Sequence, residues 1–226
     1  MRCLADAYHA DHRADTLLVL LPPAKASLED MLAQGMVAAV RELGLPLDIL
    51  LADVGYQQVM AGTVASTLQQ EVILPARQQG YAAIWLAGIS LGAFNALHYA
   101  AVHGEQLAGI KLLAPYPGTA DILQEIRAAG GPEGWAADPD CSLQDERRWW
   151  HWLAKRGERA GCPLWLSLAA EDRFAAGQDM LATLLLPAQV RRTAGDHSWP
   201  VWRAQWQHWL LHGPLSGKPA ATMEDR

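Results

Sequence analysis

The chain has 226 residues, of which 51% are hydrophobic and 19% charged, with a formal net charge of −6. That length suits one well-buried domain and is short for two, and the balance is that of a soluble globular protein. The negative charge and the lack of a basic block exclude nucleic acid as the main partner, since phosphate binding needs clustered Lys and Arg. No run of about 18 apolar residues is present, so no membrane span is expected.

Met1 to Asp15 carries Asp, His and Arg without an apolar stretch, so it does not read as a signal peptide. One or two short strands are expected there. Cys3, Cys141 and Cys162 are odd in number and widely spaced. They suggest neither a disulfide framework nor a metal site, and a reducing cytoplasm is the expected location. Asp15 to Leu21 is an apolar run stopped by Pro22-Pro23, which reads as a buried parallel strand. Ser27, followed by Glu29 and Asp30, predicts a capped helix running to Gly44, with Met31, Leu32, Met36, Val37, Val40 and Leu43 on its apolar face. Leu47 to Ala52 is the next strand, and Gly55 to Gly62 a loop. Thr63 to Gly80 is a helix interrupted or bent at Pro75.

Ala82 to Ala87 predicts a strand and Leu91 to His103 a helix stopped at Gly104. Leu107 to Ala114, Leu164 to Ala170 and Gln189 to Ala194 predict further strands, with a helix from about Ala175 to Leu186 between the last two. Pro115 to Pro163 breaks the rhythm. Its helical pieces, Ala120 to Ala129 and Gln144 to Ala160, flank a loop from Gly130 to Asp140 and are expected to form a helical lid spanning about residues 116–162. Val201 to His212 closes the fold as a helix. The polar tail from Gly213, with Pro214 and Pro219, is expected to be disordered. Strands alternating with helices require parallel pairing through crossovers. The expected fold class is therefore α/β: a single domain over residues 1–212 with an open, mostly parallel sheet of six or seven strands covered by helices on both faces.

The chemistry centres on Gly88-Ile89-Ser90-Leu91-Gly92, where the strand from Ala82 meets the helix from Leu91. A serine on so sharp a turn has its hydroxyl lifted clear of the sheet, and the glycines avoid collisions with neighbouring backbone. The motif alone is weak evidence, and a serine there could simply cap the helix. Its hydroxyl needs a base. His197, in the loop after the last strand, lies at the same carboxyl edge, the expected ligand site of an open α/β sheet. The base needs a carboxylate, and Asp172 follows the preceding strand; Glu171 is the alternative and Asp53 a lesser one. Oxyanion donors are expected from the N–H of Leu91 and, past the prolines that lack one, from Ala24 or else Lys25.

Tyr116, Trp150, Trp199 and Lys25 are the candidate substrate-binding residues, with Arg173 and Arg127 as further cations for an anionic group. Trp135, Trp149, Trp150 and Trp152 read equally as an aromatic lid or as packing. Trp199, Trp202, Trp206 and Trp209 recur at helical spacing and read as core. His208 and His212, at i and i+4, could hold a metal, but no third ligand accompanies them. No metal and no cofactor is expected.

At these residues the chain resembles the α/β-hydrolase superfamily, over roughly Asp15 to His212. The strand–turn–helix around G-I-S-L-G, the acid after a later strand and the histidine after the last strand follow its order. Gly195-Asp196-His197-Ser198-Trp199-Pro200-Val201-Trp202 looks like the histidine loop of small bacterial esterases and carboxylesterases. The resemblance implies Ser90 as nucleophile, Asp172 as orienting acid and His197 as base. It also implies early antiparallel strands trimmed in so short a chain, and Pro22-Pro23 stands where many relatives have His-Gly. The expected activity is hydrolysis of a small-molecule carboxylic ester or thioester through an acyl-enzyme. The alternatives are acyl transfer from the same intermediate, or a non-catalytic binding protein on the same fold.

Overall fold

A computed structural model describes residues 1–54, 56–135, 146–156 and 162–216. In chain order the elements are β1 (Cys3–Asp6), β2 (Thr16–Leu21), α1 (Leu28–Ala33), α2 (Met36–Glu42), β3 (Leu47–Ala52), α3 (Tyr56–Met60), α4 (Val64–Leu68), a π-helical turn (Gln69–Ile73), α5 (Leu74–Gln78), β4 (Ala83–Ile89) and α6 (Leu91–His103). They continue with β5 (Gly109–Leu113), α7 (Ala120–Ala128), α8 (Glu146–Arg156), β6 (Leu164–Ala169), α9 (Ala175–Ala182), β7 (Val190–Thr193) and α10 (Trp199–His212). The strands form one sheet in the order β1-β3-β2-β4-β5-β6-β7. All neighbours pair in parallel except β1, which runs antiparallel along β3 with Cys3 opposite Ala52. Chain order reverses between β2 and β4, which stay paired up to Leu21 and Gly88, and the carboxyl edge at such a reversal is where open sheets of this kind bind ligands.

Side chains along each strand alternate between two cores. Leu17, Val19 and Leu21 of β2, Ile84 and Leu86 of β4, Ile110 and Leu112 of β5 and Leu164, Leu166 and Leu168 of β6 face one layer, with α6, α8 and the 64–76 helical run. Leu18, Leu20, Trp85, Ala87, Ile89 and Leu113 face the other, with α1, α2 and α10. Registers such as Leu18 opposite Trp85 and Ile110 opposite Leu164 keep like with like across the sheet.

Two helix boundaries are corrected, the interruption expected near Pro75 is present, and the stretch expected as a loop over 55–62 carries α3. The helix expected from Ser27 to Gly44 is two helices, because Gly35 takes a left-handed conformation (φ +75°) and α2 restarts behind it. That step lets Leu28 and Met31 of α1 and Met36, Val37 and Val40 of α2 all reach the sheet, and leaves Leu32 exposed, off the apolar face. The 63–80 helix bends through the π turn just ahead of Pro75, whose missing N–H leaves the Glu71 carbonyl without its usual donor. The last helix starts at Trp199, two residues earlier than its pattern suggests, because Pro200 fits a first helical turn.

In the 116–162 insertion, α8 is not a flap over the sheet edge. Trp149, Trp150 and Leu153 are buried in the main core against α6, with Trp149 edge-on to Phe94. The parts of that insertion at 136–145 and 157–161, and the tail from 217, lie outside the described residues, while the start of the tail, expected to be disordered, forms a 3-10 turn at Pro214–Ser216. Among the described residues no helix is long and apolar enough to cross a membrane.

Candidate active site

Ser90 joins β4 to α6 with φ 51° and ψ −110°, a conformation that costs a non-glycine residue about 1–3 kcal/mol. Lys25 and Ala114 are the other described non-glycine residues at positive φ, and all three follow a strand at the carboxyl edge. The elbow is clamped from both sides. A Cβ on Gly88 would lie 2.3 Å from the Gly92 carbonyl carbon, so only glycine lets α6 fold back onto β4. A Cβ on Gly92 would lie 2.3 Å from the Leu21 carbonyl oxygen, so only glycine there lets the helix start press on the loop after β2. The Ser90 N–H donates to the Leu113 carbonyl (2.9 Å), and its own carbonyl accepts from Tyr116 N (3.1 Å). These bonds tie the loop after β5 to the turn.

Ser90 Oγ lies 2.8 Å from His197 Nε2, and His197 Nδ1 lies 2.7 Å from Asp172 Oδ2. A carboxylate only accepts, so Nδ1 carries the proton and bare Nε2 accepts from the serine hydroxyl. Asp172 occupies the loop between β6 and α9. Its Oδ1 accepts from Phe174 N (2.8 Å), and its Oδ2 also accepts from Gln178 Nε2 (3.1 Å). Burial opposes its ionisation, but the bonds from His197, Phe174 N and Gln178 outweigh it and hold the carboxyl below its usual range. Phe174 and Trp202 meet the imidazole edge-on, with ring centroids 5.1 and 4.9 Å away, and shield it from water.

The other candidates sort clearly. Glu171 accepts from the Gly195 N–H, bracing the histidine loop, and Asp53 donates its backbone N–H to the Arg2 carbonyl. Among the described residues, the hydrogen bonds of the His197 ring go to Ser90 and Asp172 and not to either of these. Leu91 opens α6, where a helix leaves its first N–H groups without internal partners. Ala24 and Lys25 form the exposed turn after the buried Pro22-Pro23. Tyr116 is half-buried, its ring 5.3 Å from that of Phe174 and 5.4 Å from that of Phe94. Trp150 does not line a pocket. It is fully buried, and its Nε1 donates to the Pro117 carbonyl (3.0 Å), holding the 115–117 loop in place. Trp199 is half-exposed and packs against Trp202, while Trp206 and Trp209 are core. Arg173 stacks over Phe174 (4.8 Å). Arg127 lies in the last turn of α7.

Sequence reasoning missed Gln178 and Phe174. Gln178 is fully buried and bridges Asp172 to the Pro115 carbonyl (3.1 Å). The available signal was a glutamine among Gly177, Leu181 and Ala182 on the buried face of α9.

No protein-family model matches the chain, and no curated protein sequence does. Solved structures match over nearly its whole length. The fluorophosphonate-binding serine hydrolase FphF of Staphylococcus aureus is 14% identical with a TM-score of 0.63, the match covering 93% of this chain and 88% of that one. A monoacylglycerol lipase of Paleococcus ferrophilus is 14% identical at TM-score 0.60, covering 93% and 98%. Est1E of Butyrivibrio proteoclasticus, also solved with ferulic acid bound, is 14% identical at 0.60, covering 92% of each chain. The chain has the α/β-hydrolase fold.

Proposed function

We propose that the protein is a serine hydrolase that cleaves a small carboxylic ester or thioester through an acyl-enzyme. The observation that carries this reading is the unbroken hydrogen-bond chain from Ser90 through His197 to Asp172, built on a strained turn. The names of the fold's neighbours, a serine hydrolase, a monoacylglycerol lipase and a ferulic acid esterase, agree with it.

Ser90 Oγ attacks the carbonyl carbon while its proton passes to His197 Nε2. The imidazolium that forms is stabilised by Asp172, which stays ionised. The carbonyl oxygen becomes an oxyanion held by the N–H of Leu91 and that of Ala24. Collapse breaks the bond to the leaving oxygen or sulfur, which takes the proton from His197, and Ser90 keeps the acyl group. Water then repeats the sequence with His197 as base and releases the acid. Phe174, Tyr116 and Phe94 offer an apolar aromatic wall for the acyl group. In this reading Trp199 and Lys25 contribute the outer edge of the substrate site.

The test is labelling by a fluorophosphonate probe together with turnover of p-nitrophenyl esters and thioesters of graded chain length. Labelling is expected to vanish, and turnover to fall at least about 10³-fold, in Ser90→Ala. A wild-type protein that ignores the probe, or a variant with full turnover, overturns the proposal. Added alcohol acceptors separate hydrolysis from acyl transfer.

A further inference from the structure

A second polar constellation lies away from Ser90, on the α10 face of the sheet and toward the amino ends of β6 and β7. There a cavity of about 110 Å³ is lined by Lys111, Ser167, Arg191, His208 and His212, with Trp165 and Trp209 among its walls. Lys111 points from the middle of β5 into an otherwise apolar layer and is only 2% exposed. Its Nζ meets Ser167 Oγ at 2.5 Å and lies 5.9 Å from the centre of the Trp209 ring. Among the described residues, no carboxylate comes within ion-pair distance of it. A buried ammonium without a counter-charge is costly, and proteins normally pair it or exchange it for an apolar residue.

The mouth carries the second charge. Arg191 Nη1 lies 2.8 Å from His208 Nε2. A guanidinium can only donate, so Nε2 accepts and His208 is neutral with its proton on Nδ1. Burial, then Arg191, His212 and Lys111, push His208 in the same direction. His208 thus aims Arg191 without adding charge. The groups facing Lys111 are Ser167 from β6, Arg191 from β7 and His208 and His212 from α10, and none of them is an acid.

We propose that this cavity binds a small oxyanion of charge −2, phosphate or a phosphate monoester, between the Lys111 ammonium at its floor and the Arg191 guanidinium at its mouth. The charges balance, the Ser167 hydroxyl supplies a further donor, and the volume suits a tetrahedral oxyanion. Burial, with Arg191 nearby, holds the Lys111 pKa well below its ordinary value in the empty pocket, and an arriving dianion restores the charge. Binding therefore takes up a proton.

Calorimetry with inorganic phosphate at pH 8, at constant ionic strength set with chloride, tests this in buffers of different ionisation enthalpy. One saturable site is expected, with proton uptake, and acetate at least ten-fold weaker. Phenyl phosphate binding alongside inorganic phosphate marks a monoester site, and exclusion of the ester marks a site for the free ion; either supports the proposal. Lys111→Met and Arg191→Gln should each weaken phosphate at least ten-fold. Arg191 is exposed, so its variant remains informative even if Lys111→Met fails to fold. No saturable phosphate binding, acetate as tight as phosphate, binding without proton uptake, or undiminished binding by Arg191→Gln would overturn it.

Discussion

Ser90 has two duties that pull against each other. Its hydroxyl must stand clear of the sheet beside His197, and the backbone that achieves this is one most residues avoid. The stabilising bonds from Leu113 and Tyr116 hold it there. Comparing Ser90→Ala with Ser90→Gly isolates the strain, because both lose the hydroxyl and only glycine loses the Cβ. Relief of about 1–3 kcal/mol, less about 0.5–1 kcal/mol for the freer unfolded chain, leaves Ser90→Gly more stable by about 1 kcal/mol. Urea denaturation of the two variants measures it, and equal midpoints would show that the turn holds no strain. At this scale the sequence was informative where chemistry leaves a local signature. Two glycines around a serine announce a close approach. Nothing local announces that Trp150 spends its N–H on Pro117, because that partner is 33 residues away.

Among elements, the most instructive link is Asp48, buried on β3. It accepts from Tyr8 N (2.9 Å), Ala14 N (3.1 Å) and Tyr81 Oη (2.8 Å), pinning the β1–β2 connection to the start of β4. Burial opposes its charge, but these donors prevail and lower its pKa. Burial and then Asp48 itself push Tyr81 up to about 12. The signs give two pH windows. An acid held below its unfolded value contributes stability at neutral pH that is lost as pH falls below 3.8 and through the native value. A phenol held above its unfolded value contributes stability that is lost as pH rises from 10 toward about 12. The stability gap between wild type and Asp48→Asn should therefore close in acid, and that between wild type and Tyr81→Phe should close in alkali. At pH 7, Asp48→Ala should cost about 3 kcal/mol, the loss of charged hydrogen bonds plus orphaned buried donors. Denaturant melts across pH read all three. The β1 strand that this clamp supports was only vaguely legible in the sequence, since an edge strand of four residues, mostly half-buried, has almost no period to read.

At the scale of the molecule, the alternation of strand and helix was readable because parallel strands buried on both faces are unbroken apolar runs: Thr16–Leu21 and Ala83–Ile89 could be little else. The strand order was not readable, because period-2 patterns say which face a residue takes and not which neighbour it meets. Helix breaks were misread where one residue steps the axis and the apolar stripe resumes, as at Gly35. The candidate site was legible in outline because fold order places Ser90, Asp172 and His197 after the carboxyl ends of β4, β6 and β7, whereas Gln178 is visible only once α9 is packed. One consequence of the packed whole is that the imidazole depends on a distant contact. His197 lies two residues before α10, and α10 is moored by Trp206, fully buried, stacked on Trp209 and donating its Nε1 to the Met36 carbonyl of α2 at 2.9 Å. Trp206→Phe keeps an aromatic ring and loses the bond, for about 1 kcal/mol. Trp206→Ala also leaves a cavity and should cost about 3–5 kcal/mol. If α10 positions the base, Trp206→Ala should also slow fluorophosphonate labelling of Ser90 under conditions where the variant remains folded by circular dichroism, while Trp206→Phe labels at close to the wild-type rate. Undiminished labelling in a folded but destabilised Trp206→Ala protein would show that the histidine loop holds its geometry through Glu171 and Gly195 without the helix behind it.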